Sequence, residues 1–246
     1  MKFIRRFLHK QMGLERYLRL VSKWYIRLVN SGFFRRKHPE IHYLAEIIDE
    51  GDVCVDIGAN LGYYSVFMSK LCGPQGKVYA VEPIPLFRSI WQDNMKKFGE
   101  NNVEMLPYAL GETERSVKMG MPSRDGIVHH GMTKIADDKN KQFSEYFEAE
   151  MKVPDRLFAG IKRIDFVKID IEGYEYPTLQ NMMETIRQHK PKLQTELSKD
   201  RDKIFPLLED EGYVPHILVK GILTPAGKEA KSTHKHDFYF IHKTVF

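Results

Sequence analysis

Asp56, Gly58, Asn60 and Gly62 fall within seven residues, directly after an apolar run that starts at Val53 and directly before a helix-forming segment. An acid inside an apolar strand is costly without a hydrogen-bond or charge partner. Asp56 can hold the glycine turn in shape and receive the amino group of a ligand. After the first strand of an open parallel sheet, glycines let the backbone approach a ligand closely, and the next helix presents unpaired N–H groups. The dinucleotide fingerprint needs G-x-G-x-x-G to seat a pyrophosphate, and Asn60 stands where its second glycine would be. A ligand with an adenosine and no pyrophosphate suits this turn better, and S-adenosylmethionine is the commonest such ligand. The competing reading is a tight strand-to-helix turn without any ligand. Glu82 follows the apolar run 78–81, twenty residues beyond Gly62, where a carboxylate can accept both ribose hydroxyls.

A second constellation runs from Phe166 to Glu175 and places Asp170 and Glu172 at the carboxyl end of another apolar strand. Carboxylates there can orient a cofactor, bind a divalent cation through oxygen ligands, or take the proton of a substrate hydroxyl. Alternatively the pair caps the next helix, with Lys168 as a plain ion partner. Glu196, at the end of the following strand, points to the same rim. His129 and His130 could supply a base near neutral pH, although adjacent loop histidines more often face solvent.

A parallel sheet must bring these positions to one edge. Strand-like runs start at Val53 and recur at 77–81, 103–107, 166–171, 192–196, 214–219 and 237–242. Helical segments occupy 39–49, 62–72, 86–98, 177–189 and 201–211. Such alternation implies βαβ units with right-handed crossovers. The last two strands, joined by the polar stretch 224–236, suit an antiparallel hairpin at the sheet edge. Residues 111–153 break the rhythm and read as an insertion over the ligand site.

The chain's 246 residues suit one α/β domain with a full core. The formal net charge of +5 is uneven: residues 1–37 hold eleven Lys or Arg against the single acid Glu15, leaving residues 38–246 mildly acidic. In that extension Leu14, Tyr17, Leu18, Val21, Trp24, Tyr25 and Leu28 form a helical stripe, Arg16, Arg19, Lys23 and Arg27 fall on another face, and Gly13 is a break. Three placements are open for this basic amphipathic segment: an anionic membrane surface, the domain itself, or a homodimer contact. Cys54 and Cys72 lack metal-ligand or C-x-x-C spacing and read as reduced core thiols, in keeping with a cytoplasmic protein. No run of about 18 apolar residues exists to span a membrane. The cationic start lacks an uninterrupted apolar stretch, so no secretory signal is expected. No nucleic-acid module is recognisable, and no nucleic-acid partner is expected.

The chain resembles the FkbM family of S-adenosylmethionine-dependent methyltransferases. The resemblance rests on the segment Val55 to Tyr64, on Val81-Glu82-Pro83, on Ala109-Leu110-Gly111, and on Phe166 to Glu175 with Leu179 following. It covers residues 40–245. Residues 153–157, Val-Pro-Asp-Arg-Leu, depart from the Thr-Leu-Asp arrangement common in the family, at Asp155. The resemblance implies a Rossmann-like class I fold, with a seven-stranded, mostly parallel sheet, helices on both faces and an antiparallel edge hairpin. The expected organisation is a basic helical extension at 1–37 and a methyltransferase domain at 38–246. The implied activity is O-methylation of a hydroxyl on a glycan, lipid-linked or natural-product acceptor. Cofactor contacts are expected at Asp56, Gly58, Asn60, Gly62, Glu82, Ala109 and Asp170, and catalysis at Asp170 and Glu172, with or without a divalent cation. Two rivals remain: a nicotinamide-dependent oxidoreductase, and a non-catalytic membrane-surface adaptor with a relic pocket.

Overall fold

Two helices precede the sheet in the computed structural model of the chain, α1 (Lys2–Asn30) and α2 (Pro39–Ile47). The structure describes residues 2–124, 127–128, 130–136 and 143–245, and for 2–10, 123–124, 127–128 and 130 the backbone alone. Gly13, at φ 73°, breaks α1, a backbone region that glycine enters without steric cost. The Val- and Ile-rich runs then alternate with helices: β1 (Val53–Ile57), α3 (Tyr63–Leu71), β2 (Lys77–Val81), α4 (Pro85–Phe98) and β3 (Val103–Leu106). Beyond Pro107 the chain leaves this sheet and forms β4 (Tyr108–Leu110), β5 (Arg115–Arg124), β6 (Ile127–Val128), β7 (Lys134–Ile135) and β8 (Phe143–Lys152). It returns through α5 (Pro154–Phe158), β9 (Phe166–Ile169), α6 (Glu175–Gln180), α7 (Met183–His189) and β10 (Lys192–Glu196). The chain closes with α8 (Arg201–Glu209), β11 (Tyr213–Val219), β12 (Ile222–Pro225), α9 (Lys228–Thr233) and β13 (Asp237–His242).

The main sheet has the order β12-β11-β13-β10-β9-β1-β2-β3. From β3 to β10 every neighbouring pair is parallel, and β13 enters antiparallel between β10 and β11. The class I fold is therefore present, with two corrections to the expected edge. The last strand sits inside the sheet, and the edge hairpin is β11 with an eighth strand, β12. Their two-residue turn uses left-handed Lys220 and Gly221, at φ 51° and 83°, the geometry that matches strand twist. Successive strand residues point to opposite faces. Val167 and Phe240 pack with Leu179, Ile186 and Leu208 on one side, while Phe166 and Tyr239 pack with Met68, Ile41 and Leu44 on the other.

Two segments depart from the expected elements. The single helix expected over 177–189 is two, because Asn181 Nδ2 donates to the Pro177 carbonyl at 2.8 Å and competes with the helical ladder. Asp155 then caps α7, accepting from the Thr185 amide at 2.8 Å and the Glu184 amide at 3.1 Å. Residues 111–153, read as an insertion, join β4 in a second sheet in which β8 lies between β4 and β5.

The extension packs on the domain. Tyr17 and Leu18 join Leu61, Ile84 and Phe87, while Ile26 sits against Ala59, Val66 and Trp91. Arg19, expected on an open cationic face, bonds Ser89 Oγ at 2.7 Å and pairs with Asp93. The buried stripe includes Ile26 and Val29, whereas Trp24 is 55% exposed, so the interior face is rotated from the expected one. Among the described residues no helix is long and apolar enough to cross a membrane.

Candidate active site

β1 and β9 run side by side, with Asp56 opposite Lys168 and Ile57 opposite Ile169. Parallel pairing carries their carboxyl ends to one edge, where a cavity of about 280 Å³ is lined by Asp56, Gly58, Asn60, Glu82, Lys168, Asp170, Glu172 and Glu196, together with the aromatic Tyr63, Tyr64 and Phe87. Met119 of β5, with Gly131 and Thr133 from the segment before β7, brings the 111–153 region to the same wall. The expected acids thus converge on one space.

The glycines work differently from one another. Gly58 lines the cavity at φ 84°, and a Cβ there would lie 1.9 Å from the Asp170 carbonyl oxygen. The β1–β9 crossing therefore demands glycine whether or not a ligand is near. Gly62, at φ 87°, opens α3 and would bring a Cβ within 2.9 Å of Trp91 Cδ1; it is not among the lining residues. Ala109 also stands outside this wall, in a smaller apolar cavity that shares Gly58, Pro83, Met119 and Ile171 with the first.

Glu82 ties the turn to β2. Its Oε2 accepts the Asn60 amide at 2.9 Å and its Oε1 the Ile84 amide at 2.8 Å. Burial outweighs these two donors and pushes its carboxyl up to about 7. Asp56 is also fully buried. Its Oδ2 accepts from Ser65 Oγ, which accepts from Trp91 Nε1 at 2.8 Å, while Oδ1 is buried without a partner. Burial raises the Asp56 pKa against the opposing pull of Lys168. The Asn60 side-chain oxygen is likewise buried without a donor. Buried polar atoms without partners are uncommon, and two such acceptors stand in this one cavity.

Lys168 is buried, with Nζ 2.9 Å from Asp170 Oδ2 and 4.3 Å from the Tyr64 ring centre. Burial alone would lower its pKa, but Asp170, Asp56 and Asp237 outweigh it and hold the ammonium above its ordinary value. Asp170 is thereby committed to an ion pair. Among the described residues Glu172 has no ion-pair partner, and the charge of Lys134 only partly offsets what raises its pKa. Burial first, then the charges of Asp170 and Glu196, push its carboxyl up to about 7, and burial with Asp170 does the same for Glu196. Glu172 sits at φ 48° before Gly173 at 85°, a left-handed turn held by the Gly173 amide donating to Glu175 Oε1 at 2.9 Å.

His129 lies outside the described residues, and of His130 only the backbone of a short 3-10 turn is described. Among the described residues no group of three or more His, Cys, Asp or Glu is arranged to hold a metal ion. Trp91 and Thr133 carry no sequence signal for the site. The Met119 position was legible in part, since Val117, Met119 and Met121 alternate along β5.

The family model described as the methyltransferase FkbM domain matches residues 56–217. The chain belongs to the FkbM family of S-adenosylmethionine-dependent methyltransferases. It is 34% identical over 104 residues to a protein-L-isoaspartate O-methyltransferase of Ignicoccus hospitalis, covering 42% of this chain and 48% of that one. It is 28% identical over 144 residues to methyltransferase 1 of Beauveria bassiana, covering 52% and 57%. With methyltransferase sdnD of Sordaria araneosa the identity is 26% over 188 residues, covering 65% and 72%. The chain spans about half the length of the first two relatives. The crystal structure of methyltransferase FkbM from Methylobacillus flagellatus superposes with a TM-score of 0.51 at 15% identity, covering 81% of this chain and 50% of that one, which shows a shared fold. The FkbM span takes in all five acids of the cavity and leaves out α1 and α2.

Proposed function

We propose that this FkbM-family protein binds S-adenosylmethionine in the cavity at the ends of β1, β2 and β9 and methylates a hydroxyl oxygen of a glycan, lipid-linked or natural-product acceptor. The observation that carries the cofactor assignment is the buried, partnerless Oδ1 of Asp56 in the same cavity as Glu82. Asp56 Oδ1 accepts from the ligand's ammonium, and the spare lone pairs of Glu82 accept from its ribose hydroxyls. The apolar cavity at Tyr108, Ala109 and Ile135 takes the flat base. When bound, the cofactor supplies a methyl group on a sulfonium, which leaves as a neutral thioether.

The residues at the end of β9 divide the remaining work. Asp170 is neutralised by Lys168 and sets the geometry of the strand end. Glu172, held up to about 7, is close to half ionised at neutral pH and takes the acceptor's O–H proton as the oxygen gains the methyl. Aligning that oxygen accounts for much of the rate. Transfer to oxygen is supported by Asp-Ile-Glu-Gly after β9, which offers carboxylates in place of the Asn/Asp-Pro-Pro-Tyr type motif of amino-methylating nucleic-acid enzymes. The name of the isoaspartate relative also records transfer to oxygen.

The test is calorimetry with S-adenosylmethionine, S-adenosylhomocysteine and NAD on the wild type and a Glu82→Ala variant. The expected result is micromolar binding of the first two that weakens in the variant, followed by methyl transfer in a screen of hydroxyl acceptors. Binding of NAD alone would return the oxidoreductase reading, and no binding at all the adaptor.

A further inference from the structure

Phe33 and Ile222 are the most exposed large apolar side chains among the described residues, at 72% and 69%, and each stands within two residues in the chain of a residue that lines one cavity, Arg35 and Gly221. This space, about 690 Å³, opens between the connector after α1 and the β11–β12 hairpin, and Arg35, Arg36, His42, Glu46 and Lys220 line it with Tyr43. Among the described residues neither arginine nor Lys220 has a carboxylate within ion-pair distance, and Glu46 is the one acid in the wall. The Nε2 of His42 is buried there without a partner. Val219, next to Lys220, is also exposed.

We propose that this cavity is a docking site for an anionic phospholipid surface, with Arg35, Arg36 and Lys220 on the headgroup phosphate and Phe33 and Ile222 entering the acyl boundary. A free phosphate would need the cations and would leave two large apolar tips in water without purpose. A bilayer interface uses both, because it rewards apolar insertion and cationic residues together. Topology gives the docking a direction. β11 and β10 are both antiparallel to β13, so β11 runs with β10, and its hairpin lies at the sheet end where β1, β9 and β10 deliver the active-site acids. Docking there would keep that end towards the lipid. The expected membrane role of the extension thereby moves from its apolar stripe, which the domain covers, to its last residues.

The experiment is cosedimentation of the full chain, without cofactor, with phosphatidylcholine vesicles and with vesicles containing phosphatidylglycerol, so its outcome does not depend on the methyl-transfer reading. Wild type should pellet with the anionic vesicles alone. Arg35→Gln/Arg36→Gln should weaken partitioning about 25-fold, at about fivefold per cation, and Phe33→Ser/Ile222→Ser about tenfold or more. Arg16→Gln/Arg27→Gln, on the outer face of α1, should change it far less. Absence of wild-type binding, or wild-type pelleting by either of the first two variants, overturns the proposal. It also fails if inorganic phosphate displaces the protein while the Phe33/Ile222 variant binds normally, or if the Arg16/Arg27 variant alone loses binding.

Discussion

Replacing Asp56 by Asn isolates the contact that most sharply separates a cofactor site from a bare turn. The substitution keeps the size and keeps an oxygen for Ser65 Oγ, and Lys168 retains Asp170 at 2.9 Å. What disappears is the negative charge behind the partnerless Oδ1. A hydrogen bond to a charged group is worth about 1.5–3 kcal/mol, which at about 1.4 kcal/mol per factor of ten corresponds to roughly 10- to 150-fold in affinity. Calorimetry should compare S-adenosylhomocysteine with 5′-methylthioadenosine, which has the nucleoside and lacks the amino-acid portion. Asp56→Asn should weaken the first by that factor and leave the second close to wild type. Equal weakening of both ligands would mean that Asp56 acts through the shape of the turn, and no weakening of either would remove it from the site.

Three further outcomes follow from the same geometry. With an identified acceptor, kcat/KM should fall about tenfold between about pH 8 and pH 6, because a Glu172 carboxyl held at about 7 is ionised above that pH and protonated below it. Glu196→Gln should move this limb to lower pH, Glu172→Gln should cost about 10²- to 10⁴-fold, and a flat wild-type profile would exclude Glu172 as base. The affinity ratio of S-adenosylmethionine to S-adenosylhomocysteine should rise with pH over the same interval, since the sulfonium charge favours ionised Glu172 and Glu196; a pH-independent ratio places the sulfonium away from them. Gly58→Ala, whose Cβ would lie 1.9 Å from the Asp170 carbonyl oxygen at φ 84°, should destabilise by about 3 kcal/mol or more, lowering Tm by roughly 10 °C. Gly160→Ala, with nothing within 4 Å of the added Cβ, should leave Tm nearly unchanged, and equal Tm values for the two variants would refute the steric argument.

Local patterns carried the fold as far as local physics reaches. Strand-to-helix alternation from Val53 to Phe98 is visible because each element has its own period, and α3 and α4 begin within a residue of the expected starts. Pairing between distant strands has no such signature. The apolar run at 237–242 reads as a strand, yet its place between β10 and β11 depends on which neighbours offer a ladder. The edge turn at Lys220-Gly221 lacks the Asn-Gly signal of a tight hairpin, so β12 merged into the polar stretch. In α1 the apolar residues cover too wide an arc for periodicity to choose the buried face. Trp24 belongs to the expected apolar stripe, yet its side chain is exposed, with the ring centre 5.7 Å from the Arg27 guanidinium carbon.

At the candidate site the acids were legible and their division of labour was not. Asp56, Glu82, Asp170, Glu172 and Glu196 stand in strands or where strands end, and parallel connections force such positions to one edge. A glycine, by contrast, signals only that something approaches closely. At Gly58 that is the Asp170 carbonyl and at Gly62 the Trp91 ring, so a reading that assigned both to ligand approach put Gly62 in the wall when it belongs to the packing of α3. The difference between Asp170 and Glu172 is likewise invisible in their shared motif. It arises because strand alternation puts Lys168 on the same side as Asp170, two residues away, and leaves Glu172 beyond the strand in a left-handed turn. Asp170, Asp56 and Asp237 share the buried ammonium of Lys168, while Glu172, outside that group, is pushed by burial and by the charge of Asp170 up to about 7.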